Sequence, residues 1–268
     1  MSKAIALGIA GVTVSFAMLA AGFLAGSRGD LAAAPHAADG ARPSLAQAAS
    51  RAEVEAIVRT YLIENPEILN EMQIVLEDRQ REEQRLAVLD AIGSSSDAIF
   101  NADYDGVVGN PEGSTTVVEF FDYNCGYCKR AYDDMAAMVA EDGNLRFVLK
   151  EFPILGPDSQ RAHIVSMAFR TLAPEKYPEF HRALLLGGRA SEAAAIKAAL
   201  DLGADEAALR EEMKNPAILE AFNDTYELAQ KLSITGTPSY IIGQEVVFGA
   251  LGKAVLKEKV ELARTDAE

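Results

Sequence analysis

Cysteine is scarce in this chain of 268 residues: there are two, Cys125 and Cys128, three positions apart. A small secreted fold stapled by disulfides needs more of them, in pairs that close longer loops, so these two are not a framework. A tetrahedral zinc site would need further ligands; no second cysteine pair exists, and His163 and His181 stand alone. Basic charge is also in short supply. The 25 Lys and Arg residues face 40 Asp and Glu, a formal net charge of −15. That balance opposes binding to nucleic-acid phosphates or anionic lipid headgroups and favours solubility. Internal repeats are missing, as is any methionine-rich or histidine-rich tract, and no motif calls for a cofactor or a resident metal. Hydrophobic residues, at 49%, are plentiful enough to bury a core.

The first 28 residues read as an export signal or membrane anchor. Lys3 and the amino group supply the positive start, and Ala4–Gly26 carries no charge. That run exceeds the roughly 7–15 residues of a usual signal core and reaches the about 20 that span a bilayer. Ala32-Ala33-Ala34 offers a small-residue cleavage site. The charge bias predicts that the amino terminus stays cytoplasmic and the rest crosses. The expected location is therefore across that membrane, either soluble after cleavage or tethered through residues 4–26.

Residues 29–50, with Pro35, Gly40 and Pro43, read as a linker. A helical extension is expected over 51–105. Its apolar residues fall at Val54, Ile57, Val58 and Tyr61, then Ile68, Leu69, Met72, Val75 and Leu76, then Leu86, Val88, Leu89 and Ile92. Pro66 should break the helix. The polar stretch Asp78–Arg85 interrupts the apolar stripe. Either this is a solvated helix resting on the main domain, or Arg51–Ile92 pairs with copies of itself as a homo-oligomer contact.

The main domain is expected over 106–268, after the turn-rich Gly106–Gly113. Thr115–Phe121 reads as a buried strand, β-branched and aromatic with one charge. A helix follows over about Lys129–Glu141, then a strand over Leu145–Lys150 and a mostly helical insertion at about 157–232. Strands at Ser239–Ile242 and Glu245–Phe248 and an amphipathic helix over Lys253–Arg264 close the chain. This order is that of an α/β domain with an inserted helical segment.

Cys125-Gly126-Tyr127-Cys128 lies where the first strand gives way to a helix. Thiolate is the reactive form of cysteine, and unpaired N–H groups and aligned peptide dipoles at a helix amino terminus stabilise it. Cys125, exposed at the helix mouth, is then the attacking thiolate, and Cys128, one turn inside, the resolving thiol. Three other readings compete: half of a zinc site, two unrelated buried thiols, and a structural disulfide. The last would close so short a loop that it adds little stability.

The run Val118-Glu119-Phe120-Phe121-Asp122-Tyr123-Asn124-Cys125-Gly126-Tyr127-Cys128-Lys129 resembles the active-site strand and helix of the DsbA superfamily of thioredoxin-fold proteins. Lys150–Gly156, Phe180-His181 to Leu184, and Ile234-Thr235-Gly236-Thr237-Pro238 occur in that family's order and spacing. Tyr61–Glu67 is similar to the amino-terminal extension of the ScsC-like branch. The resemblance implies a thioredoxin fold, a place in the periplasm of a bacterial cell envelope, thiol–disulfide exchange with cysteine-containing client proteins, and a membrane redox partner that resets the cysteine pair. It matches Pro238 to the family's cis-proline and Thr237 to the residue before it, both beside the substrate strand. Gly126 and Tyr127 fall at the substrate mouth. It also matches Glu119 to a buried acid that helps move the resolving thiol's proton, against an exposed strand-end carboxylate as the bland alternative. His181 matches a structural position. His163 is a helix-surface or core histidine, and Asp122 has no specific role.

Direction of electron flow depends on redox poise. Gly-Tyr between the cysteines and Thr before the proline resemble the isomerase DsbC and ScsC-like proteins more than the oxidase DsbA. The leading expectation is thus a disulfide isomerase or reductase, with a DsbA-like dithiol oxidase as the alternative. A Cu(I)-handling binding protein is a third reading, since two thiolates suit that ion.

Overall fold

Apolar residues on both sides of Thr115–Phe121 make it a strand covered on both faces, and the domain is built outward from it. In the computed structural model, which describes residues 50–265, this is β2 of a five-stranded sheet ordered β1-β3-β2-β4-β5. The strands are β1 (Gly106–Gly109), β2 (Thr115–Phe121), β3 (Leu145–Glu151), β4 (Ser239–Ile242) and β5 (Glu245–Phe248). β2 and β3 run parallel, with Glu119 opposite Leu149; every other neighbouring pair is antiparallel, and β4 sets Tyr240 opposite Glu119. Successive strand side chains point to opposite faces. Val117, Phe121, Phe147, Leu149, Tyr240 and Ile242 therefore join one core, while Val118, Phe120, Val148 and Ile241 join another. This is the mixed sheet of a thioredoxin-type fold.

Gly106–Gly113 reads as turns, but Gly106–Gly109 forms the edge strand β1. Val107 and Val108 favour it, and the glycine is needed for space: a Cβ on Gly106 would lie 1.9 Å from the Tyr177 ring.

The first core is closed by α4 (Gly126–Glu141), α10 (Lys253–Thr265) and the insertion between β3 and β4. That insertion comprises α5 (Pro157–Leu172), a short 3₁₀ turn, α6 (Tyr177–Leu186), α7 (Glu192–Asp201), α8 (Glu206–Glu212) and α9 (Pro216–Lys231). Gly156, at φ 101°, turns the chain into α5 just before Pro157 takes the first helical position. The second core holds Leu228 and Ala229 of α9, Ile99 of α3 (Ser96–Phe100), and Ala91 and Ile92 from the end of α2 (Ile68–Ser94).

Chain contacts separate one unit ending at Pro66 from another that begins at Glu67. In the first, α1 (Arg51–Glu64) is opened by a capping box: Ser50 Oγ accepts from the Glu53 N–H at 3.3 Å, and Glu53 Oε2 accepts from the Ser50 N–H at 2.7 Å. The helix stops at Glu64, just before Asn65-Pro66. Among the described residues, no helix is long and apolar enough to cross a membrane. The export segment and nearly all of the 29–50 linker lie outside the described residues.

Candidate active site

The sulfur of Cys125 caps α4. With φ −74° and ψ 115°, Cys125 is the residue before the first helical turn, and its Sγ accepts the Cys128 N–H at 3.3 Å. Its own N–H donates to the Asp122 carbonyl at 2.9 Å, which closes the turn between β2 and α4. The Thr237 carbonyl lies 3.2 Å from Sγ, so the Thr237–Pro238 loop, whose peptide is cis, faces the cysteine. Helix-mouth placement alone predicts an exposed Cys125. Instead only 5% of it is accessible, because that loop covers the sulfur.

The two thiols are driven apart. Cys125 is held down to about 5 by the Cys128 S–H donating to it; Thr237 and the N–H groups of Cys128 and Tyr127 add to this against the effect of burial. Cys128, 1% accessible, is pushed far up by burial, by sharing its proton with Cys125 and by the charge of Glu119. At neutral pH the pair is one thiolate and one thiol. Glu119, 5% accessible, is not an exposed carboxylate. Burial and the nearby Cys125 charge raise it to about 8, against the Tyr240 hydroxyl hydrogen bond that lowers it. A carboxyl poised near neutrality suits proton transfer.

The fold thus brings Cys125, Cys128, Glu119, Thr237 and Pro238 together. Gly126 and Tyr127 stand at the surface: a Cβ on Gly126 would meet nothing within 4 Å, and Tyr127 is 60% exposed.

A buried polar network beneath the site was not foreseen. Asp122 is fully buried and accepts from Asn124 N–H at 2.8 Å, Leu155 N–H at 2.9 Å and Ser159 Oγ at 2.7 Å. It ties the turn before Cys125 to the loop after β3 and to α5. Glu151 accepts from Ser166 Oγ at 2.5 Å and Tyr177 Oη at 3.1 Å, and is bonded to His163 Nδ1. His163 Nε2 accepts the Tyr123 N–H at 3.2 Å, and the ring is wholly buried. His163 is therefore a core histidine, and His181, lowered to about 3 by burial and then by His163, stays neutral. The sequence signal for this network was charge where a buried strand ends: Asp122 follows β2, and Glu151 closes β3. Among the described residues no group of three or more His, Cys, Asp or Glu is arranged to hold a metal ion.

The family model of the DSBA-like thioredoxin domain matches residues 116–261, and that of the copper resistance protein ScsC N-terminal domain matches 51–83. Disulfide bond formation protein D of Bacillus subtilis (strain 168) is 24% identical over 174 residues, 58% of this chain and 75% of that protein. The thiol-disulfide exchange protein alpha-DsbA2 from Wolbachia pipientis is 30% identical with a TM-score of 0.62, covering 67% of this chain and 97% of its own. Proteus mirabilis ScsC in a transitional conformation is 26% identical with a TM-score of 0.60, covering 82% and 98%.

Proposed function

Because the chain belongs to the DSBA-like thioredoxin-domain family and is a thiol–disulfide oxidoreductase of that type, we propose that it is a disulfide isomerase and reductase acting on cell-envelope proteins through Cys125 and Cys128. The observation that carries the site is the division between its sulfurs: a stabilised thiolate at Cys125 and a buried thiol at Cys128.

In the forward direction the Cys125 thiolate attacks one sulfur of a client disulfide. A mixed disulfide forms and the client's other sulfur leaves as thiolate. Glu119, as carboxylate, takes the proton of Cys128. Cys128 then attacks Cys125, the intramolecular disulfide forms, and the client's second sulfur leaves. Two electrons pass from the protein to the client. When a client thiol attacks the mixed disulfide instead, the client is rearranged and the protein emerges reduced. Thr237 and Pro238 border the sulfur and would present backbone to the client. Gly126 and Tyr127 would meet its side chains.

Two features support isomerase work. One is the Gly-Tyr and Thr-Pro pair of dipeptides. The other is the amino-terminal segment similar to the ScsC N-terminal domain, whose α1 leaves Ile57, Val58, Tyr61 and Ile63 half or more exposed. Contacts between copies through that face would hold several sites around one client and raise their effective concentration. A second reading, dithiol oxidase, is favoured by the low pKa of Cys125, since stabilising the reduced form makes the disulfide more oxidising. The membrane redox partner that resets the pair would differ between the two readings.

The test uses the full chain, prereduced, on a client with scrambled disulfides. Isomerisation is expected, and Ile57→Glu with Ile63→Glu should reduce it more than they reduce simple disulfide reduction, with loss of oligomer by sedimentation. A monomer that oxidises reduced clients and cannot unscramble them would leave the oxidase reading. Tight Cu(I) binding with neither activity would favour copper handling.

A further inference from the structure

We propose that the mouth around Cys125 selects partner polypeptides whose reacting cysteine is flanked by acidic residues. This rests on the exchange reaction above and names its preferred substrate class.

The chain carries a net charge of −15, yet four cations lie on the segments that border Cys125, while Glu119 and Asp122 beside it are buried. Lys129 sits one turn into α4, its N–H on the Cys125 carbonyl at 3.1 Å and its ammonium on the Gly188 carbonyl. Arg130 lies 4.3 Å over the ring of the exposed Tyr127. Arg161 and Arg189 arrive on the two segments that Asn124 pins beside Cys125. The Asn124 side chain bonds Ser159 Oγ at 3.0 Å and both backbone groups of Ala190 at 2.9 Å.

These four cations have little local compensation. Arg161 and Arg189 share one carboxylate, Asp158, with the Arg189 contact at 2.7 Å. Among the described residues, neither Lys129 nor Arg130 has a carboxylate within ion-pair distance, and a carbonyl or an aromatic face removes no charge. The first turn of α4 contains no acid. Asp133 and Asp134 come a turn further along, where Arg182 acts on Tyr132 together with Asp133. The amino-terminal dipole of α4 adds positive potential at the same place.

The influences that lower Cys125 are hydrogen bonds from Cys128, Thr237 and Tyr127, and no Lys or Arg is among them, so the four cations stand back from the sulfur at the rim of the mouth. There they face what flanks an incoming sulfur, and flanking residues belong to a polypeptide. Such exposed charges act over about 10 Å at moderate salt and change the rate of encounter more than the final affinity.

The experiment gives reduced full-length protein symmetric disulfides of short peptides that differ only in having Glu, Gln or Lys on both sides of one cysteine. Each turnover converts one peptide disulfide to two peptide thiols and oxidises one Cys125–Cys128 pair. Rates are divided by those with a neutral small dithiol, which removes the flanks' effect on the peptide thiol itself. The order expected is Glu, then Gln, then Lys, with about tenfold between extremes at low salt and about twofold at high salt. Arg130→Glu with Arg189→Glu, shown folded by circular dichroism, should flatten or invert the order. Equal rates, faster Lys peptides, or an order that survives both high salt and the double variant would overturn the proposal. Failure to reduce even the Gln peptide would instead remove the exchange reading beneath it.

Discussion

Raising the pH from 5 to 9 should stabilise the reduced protein relative to its oxidised form. Cys125 is the cause. Its pKa lies at about 5 in the fold, against an ordinary 9.0. An acid whose pKa is depressed adds stability that is complete above its unfolded value and lost as the pH falls through its folded value. A span of about 4 on the pH scale, at about 1.4 kcal/mol for each step, corresponds to about 5 kcal/mol. Solvent screening at the helix mouth lowers the expected gain to about 3 kcal/mol. Glu119 works in the opposite sense: raised to about 8 from 4.5, it loses stability as the pH climbs between those values. Its burial penalty is present in both redox forms and cancels in their difference, leaving only its repulsion with the thiolate. Cys128, pushed far up, stays protonated throughout. Urea unfolding of both forms at a series of pH values measures the difference. Equal pH slopes for the two forms would refute the reasoning, as would a thiolate absorbance titration of Cys125 near its ordinary value.

Two further outcomes are expected. Glu119→Gln should slow the release of client from the mixed disulfide by about 10–100-fold. In the unaltered protein that step should accelerate as the pH rises through about 8, and this dependence should vanish in the variant; an unchanged profile in stopped-flow release would deny Glu119 the base role. Asp105→Ala removes the only carboxylate bonded to the fully buried Lys150 among the described residues. It should cost about 3–5 kcal/mol in urea unfolding, since the ammonium loses its partner, and a loss below about 1 kcal/mol would mean that Lys150 is neutral in the fold.

Much of the architecture could be read from local pattern. Thr115–Phe121, Ser239–Ile242 and Glu245–Phe248 are strands over the residues that their β-branched and aromatic runs indicate. Asn65-Pro66 interrupts the helical extension because proline constrains the residue before it and cannot continue a helix. β1 was hidden, since four residues bounded by two glycines carry too little periodicity to distinguish an edge strand from a turn. The end of α2 was ambiguous for another reason. Its apolar residues fall on both sides of the polar stretch Asp78–Arg85, yet only Ala91 and Ile92 are buried in a core, while Leu69, Met72 and Val75 stay exposed.

The cysteine pair, its place at a strand-to-helix junction and the identity of Glu119 are properties of neighbouring residues, and the chain order contains them. The electrostatics of the site are only partly local: Cys128 and Tyr127 lower Cys125 from within the same motif, and Thr237 does so from a distant segment. Thr237 reaches Cys125 across 112 positions, Asn124 pins Ala190 across 66, and Tyr240 meets Glu119 through strand pairing. Those long-range contacts bury Cys125 where a helix mouth alone would expose it. They also gather Asp122, Glu151 and His163 under the site and bring the segments that carry Arg161 and Arg189 beside Asn124. Burial and distance set the sign and size of each charge effect, and neither exists until the segments have packed.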